Sequence, residues 1–126
     1  MRLIDILNIP ARYRDRYNKV RSVTLMNFEV EKTESYRVFR AVASNKYTTQ
    51  IAFPSDTKIT AQSLIKVDCT CKSFLYEFSE IIERNDGLFV ERDYKKKSSK
   101  PLTLTGCKHL ISLGKYIFER RTIFDK

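Results

Sequence analysis

The chain has no tryptophan and a single histidine, and glycine, proline and cysteine each occur only three times in 126 residues. Each scarcity excludes something. With so few glycines and prolines, long irregular loops are not expected, and no glycine-rich phosphate-binding loop can be drawn. Three cysteines is an odd number, which argues against a disulfide framework and for reduced thiols that are free to bind metal. No apolar run approaches the roughly 18 residues that would suggest a membrane span. The opening Met1–Leu7 is a poor signal peptide, being short and carrying Asp5, so a protein neither secreted nor in a membrane is expected.

What the chain does have is charge of one sign. Lysine and arginine number 24 against 15 acidic residues, a net charge of +9. Such an excess favours a polyanionic partner, either nucleic acid or an acidic protein surface. A hydrophobic fraction of 42% at this length is that of one folded domain with a real core.

The scarce residues are not scattered. All three cysteines and the histidine fall in two short clusters, Cys69-Thr70-Cys71 and Cys107-Lys108-His109. Three thiolates and one imidazole are a natural ligand set for one closed, tetrahedral, structural Zn2+ ion. Around these clusters the periodicity changes several times. Residues 3–9 form a short apolar element stopped by Pro10. In 11–21, Tyr13, Tyr17 and Val20 make one stripe of a short helix, while Arg12, Arg14, Arg16, Lys19 and Arg21 cover much of the rest. That segment reads as an amphipathic helix with solvated arginines, or as a phosphate-binding arm with rings for stacking.

From Val23 the pattern alternates. Met26, Phe28 and Val30 are expected on one face of a first strand. Tyr36–Ala43 reads as a second strand and Asn45-Lys46 as a hairpin tip. Tyr47, Thr49, Ile51 and Phe53 alternate along a third strand that Pro54 stops. A surface connection to Gln62 follows. Then Ile65, Val67, Cys69 and Cys71 share one face of a further strand, so both thiolates can reach one metal. Phe74, Leu75, Phe78, Ile81 and Ile82 predict an amphipathic helix, capped by Ser73 and stopped at Asn85-Asp86-Gly87. Leu88–Val90 suggests a short strand. Lys95, Lys96, Lys97 and Lys100 form a basic loop ending at Pro101. Residues two apart on a helix lie about 200° apart, so Cys107 belongs in the turn at Gly106 and His109 in the first helical turn. Leu110, Leu113 and Ile117 then make a core stripe, and Arg120 and Arg121 suit the C-terminal end of the helix dipole.

The expected fold is therefore α+β: an antiparallel β-meander of 3–5 strands, a helical insert and a C-terminal helix, clasped by one zinc. As one domain over 1–126 it divides into a basic arm or helix (1–22), the meander (23–71), the insert and basic loop (72–106) and the final helix (107–126).

The pattern Cys69-x-Cys71, a spacer, then Cys107-x-His109, with Phe74 soon after the first pair and Leu110 after the second, resembles the SWIM zinc finger. The spacer of 35 residues is longer than is usual there. Its Phe74–Phe78 start and basic tail are similar to SWIM-like small proteins of large tailed bacteriophages. The resemblance implies a virion or host-cytoplasmic protein that binds DNA or neighbouring proteins. With the module spanning nearly the whole chain, the expectation is a small structural or accessory subunit of a nucleoprotein assembly, with protein subunits as partners. The alternative is a nucleic-acid-binding protein using Arg12, Arg14, Arg16, Lys19, Arg21, Lys95, Lys96, Lys97 and Lys100. No enzyme is expected: with His109 a ligand, no histidine remains as a general base. Glu77, Glu80 and Glu83 near Arg84 read as a solvated helix face, and no small-molecule substrate is expected.

Overall fold

The computed structural model describes residues 1–9, 19–90 and 104–126. Its centre is a four-stranded antiparallel sheet of β1 (Leu25–Lys32), β2 (Tyr36–Ala43), β3 (Tyr47–Pro54) and β4 (Lys66–Cys69), paired in chain order. Short α1 (Ile4–Leu7) precedes it. After β4 come a π-helical turn (Phe74–Phe78), α2 (Ser79–Arg84), α3 (Lys108–Glu119) and α4 (Arg121–Phe124). The α+β class and the meander agree with the alternation in the sequence. β1, β2 and β3 are joined by short links, which cost little chain entropy, whereas a longer connection leads from Pro54 to β4.

The turn between β2 and β3 uses Ser44 and Asn45 at φ of 53° and 60°, left-handed angles whose twist matches a hairpin. Register follows from it. Ala43 faces Tyr47, Phe39 faces Ile51, and Thr49 faces Cys69. One sheet face receives α3. There Phe39, Ile51, Phe53 and Val67 meet Leu110, Leu113 and Ile117, all fully buried. Burial of each such large side chain stabilises by about 1.5–3 kcal/mol. Gly114 lets α1 come close to α3: a Cβ there would sit 3.3 Å from Ile6 Cγ2.

The other face carries a polar row. Glu29, Arg40, Gln50 and Asp68 occupy directly opposed positions on the four strands. The Arg40 guanidinium donates to Glu29 at 2.8 Å and to Gln50 Oε1 at 3.0 Å, and the Gln50 amide donates to Asp68 at 3.3 Å. Gln50 and Asp68 are buried, and these bonds offset part of their desolvation.

Several sequence expectations are corrected. Met26 does not share the face of Phe28 and Val30, because a bulge between Met26 and Glu29, with Asn27 at φ 52°, resets the register: Val30 faces Phe39 whereas Met26 faces Val42. Phe28 packs on Phe39, Tyr116 and Phe124, whereas Met26 and Val30 stay exposed on the edge strand. Cys71 lies beyond β4, which ends at Cys69. Ser73 already has helical angles and makes no capping bond. Leu88 forms a single parallel bridge to Val67 rather than a strand. The connection after Pro54 is not wholly at the surface, since Ile59 is buried and its N–H donates to Asp125. Of the Tyr13, Tyr17 and Val20 stripe only Val20 falls among the described residues, and it is buried. No helix among the described residues is long and apolar enough to cross a membrane.

Candidate metal centre

Cys69 ends β4, and the ladder is carried one residue further by Thr70. Its N–H donates to Thr48 O at 3.1 Å, and its hydroxyl accepts from Thr48 N at 3.1 Å. The chain then bends, placing Cys71 beneath the start of the π-helical turn. There the Leu75 N–H donates to Cys71 O at 3.2 Å and the Phe74 N–H donates to Cys71 Sγ at 3.4 Å. An amide aimed at sulfur favours the thiolate.

The second pair arrives from α3. Cys107 is the extended residue immediately before the helix (φ −69°, ψ 167°), and His109 sits in its first turn. This agrees with the geometric argument that two residues spaced Cys-x-His cannot both be mid-helix and share a metal. A helix entered from an extended residue turns Cys107 Sγ and the His109 ring toward the end of β4.

The four side chains meet. One ligand atom from each of Cys69, Cys71, Cys107 and His109 lies within 4.8 Å of every other, and all four residues are buried. Cys69 Sγ is 3.7 Å from His109 Nδ1. Bonds of about 2.3 Å to sulfur and 2.0–2.1 Å to nitrogen at tetrahedral angles put donors about 3.6–3.8 Å apart. The cluster is therefore compatible with one metal ion, and the donor set fits a four-coordinate thiophilic ion. Four protein donors would complete the coordination of a tetrahedral ion.

The thiols also show why a cation suits the site. Hydrogen bonding from Cys107 and then Cys69 holds the Cys71 thiol far below the ordinary range, with His109 and the Phe74 amide helping. The Cys107 contact pulls Cys69 down, but the bond to Cys71, burial and the charge of Cys71 outweigh it. Its pKa is pushed up to about 12. Burial first, then Cys69 and Cys71, push Cys107 well up. In the absence of a cation, ionisation of one thiol opposes ionisation of the other two. A divalent cation would let all three ionise together.

The imidazole is held by packing. Its ring centroid lies 5.0 Å from that of Tyr47, and its Nε2 is buried without a hydrogen-bond partner among the described residues. Neither Tyr47 nor the Phe74 amide was marked by the ligand spacing. Tyr47 is an inward residue of an alternating strand, and its place beside the histidine depends on strand register. Of the basic residues singled out in the sequence, Lys19, in helical conformation, and Arg21, in the turn that follows, are exposed ahead of β1. Arg12, Arg14, Arg16, Lys95, Lys96, Lys97 and Lys100 lie outside the described residues. Glu80 pairs with Arg84 at 2.8 Å along one side of α2, but its side chain is only 13% exposed, so it is not the fully solvated carboxylate expected there.

Comparison of the chain with protein-family models, with curated proteins and with solved structures gives no match, so the reading of the site rests on its own geometry.

Proposed function

We propose that this chain is a non-enzymatic binding module whose fold is clasped by one structural zinc ion held by Cys69, Cys71, Cys107 and His109. The observation that carries the reading is the convergence of four buried donors from two separated segments. Zinc held this way would tie the end of β4 to the start of α3, contributing to folding rather than to catalysis. Replacing the ion by cobalt(II) tests it. Intense visible bands of tetrahedral thiolate-bound cobalt are expected, and a spectrum of six-coordinate cobalt would count against the clasp.

The module's role, on this proposal, is that of a structural or accessory subunit of a larger nucleoprotein assembly, in keeping with its resemblance to SWIM-like phage proteins. Supporting it is β1, an edge strand that is exposed along most of its length and carries exposed Met26 and Val30. Such an edge can be completed by another chain. Size-exclusion analysis of the native complex in high salt checks this. Co-elution with protein partners is expected, and a lone monomer would contradict it.

A further inference from the structure

We infer that the clasped end of the sheet is a nucleic-acid-binding surface, on which Lys19, Arg21, Lys46, Lys72 and Lys108 contact the phosphate backbone. The pairing pattern brings these residues to one end. Leu25, the first residue of β1, faces Ala43, the last of β2, and Ala43 faces Tyr47, the first of β3. Cys69, the last of β4, faces Thr49. Every segment beyond these positions therefore emerges on the same side: 19–24, 44–46, 70–73 and 106–108. The first two are joined by the Ser44 N–H donating to Thr24 O at 2.9 Å. Lys46 Nζ lies 5.4 Å from the Tyr47 ring, which packs on His109, so the hairpin tip and the start of α3 adjoin.

The charge of these four segments is of one sign. None of those four segments contains an aspartate or glutamate, while each supplies at least one cation. Lys19, Arg21, Lys46 and Lys72 are exposed and Lys108 is half-buried. Among the described residues, Lys46, Lys72 and Lys108 enter no ion pair. The opposite end is different. There Lys32 pairs with Asp56, Arg37 with Asp125 and Lys66 with Asp86. A divalent ion with three thiolates and a neutral imidazole carries a single net negative charge, smaller than the positive charge around it. Cations in segments without acidic residues, against cations interleaved with Asp56, Asp86 and Asp125 at the opposite end, suit a regular polyanion. The spacing of these residues in the sequence hides the surface, because Lys46, Lys72 and Lys108 come together only in the fold.

This surface rests on the strand register and on the packing of Tyr47 against His109, and not on a bound metal. Its test is fluorescence anisotropy of the zinc-loaded full chain with a mixed-sequence oligonucleotide, single-stranded and duplex, over a range of salt. Binding should weaken steeply as salt rises. The variant Lys46→Gln/Lys72→Gln/Lys108→Gln should flatten the slope of log K against log salt by about 2 on the single strand and nearly 3 on the duplex. A control at the opposite end, Lys32→Gln/Lys58→Gln/Lys126→Gln, should leave the slope as it was. Absence of salt-dependent binding by the unaltered chain, equal flattening by the control, or binding to an acidic protein in place of either oligonucleotide would overturn the inference. Lys46→Gln alone, at an exposed turn, guards against misfolding and should flatten the slope by about 0.7–0.9. Zinc content measured on each sample separates failure of this surface from failure of the clasp.

Discussion

Cys69 Sγ and His109 Nδ1 stand 3.7 Å apart although 40 residues separate them in the chain. The pair joins the end of β4 to the first turn of α3, across an insert that contains the π-helical turn and α2. Packing brings these elements near each other. The four donors give that junction a specific geometry, and most of the predictions below turn on it.

Removal of a ligand should be costly. Cys69→Ser or His109→Ala would leave the proposed ion with three donors and open a hole in a buried cluster. The loss should exceed about 4 kcal/mol, a range typical of a lost metal site. Since a domain of this size holds only about 5–15 kcal/mol, partial or complete unfolding is expected by circular dichroism. A variant that kept both its melting temperature and its fold would contradict the clasp.

Acid should release the metal and then the fold. Bound donors carry no protons, whereas the unfolded chain's thiols and imidazole do at low pH. The unfolded state thus binds more protons, and stability rises with pH. As pH falls from 7 toward roughly 5, below the ~6.5 of an ordinary imidazole, the zinc-loaded chain should lose stability steeply. Thermal melts at several pH values, with and without added zinc, check this. A flat profile over that range would contradict it.

The far end of the sheet offers a control that does not involve the metal. Arg37 and Asp125 form an ion pair at 2.8 Å with side chains only 16% and 14% exposed. Arg37 also donates to Phe124 O, and Asp125 accepts from Ile59 N–H. Asp125→Ala would strand a largely buried guanidinium and should cost about 3 kcal/mol. Urea unfolding should register the loss while zinc content stays unchanged.

The meander was legible because the sequence alternates along Tyr47–Phe53 and Ile65–Cys69 and Pro54 marks an end. The ligand set was legible because every cysteine and the histidine fall in two pairs. What was hidden depended on backbone detail or on distant pairing. Asn27 takes a left-handed angle and shifts β1, so the apparent Met26, Phe28 and Val30 stripe is split between two environments. Phe74, Phe78 and Ile82 do share a buried face, but over a π-helical turn that i, i+4 and i+8 spacing cannot distinguish from an α-helix. Ser73 has a capping residue's chemistry, yet helical geometry has already begun there. Tyr47 meets His109 only through strand register, a pairing that a linear reading does not assign.

The most direct measurement is metal content per chain, by elemental mass spectrometry on protein purified without chelator, followed by melting with and without chelation. The account predicts about one zinc per chain and loss of the cooperative transition when the zinc is removed. A metal-free protein that melts identically with and without chelator would contradict it.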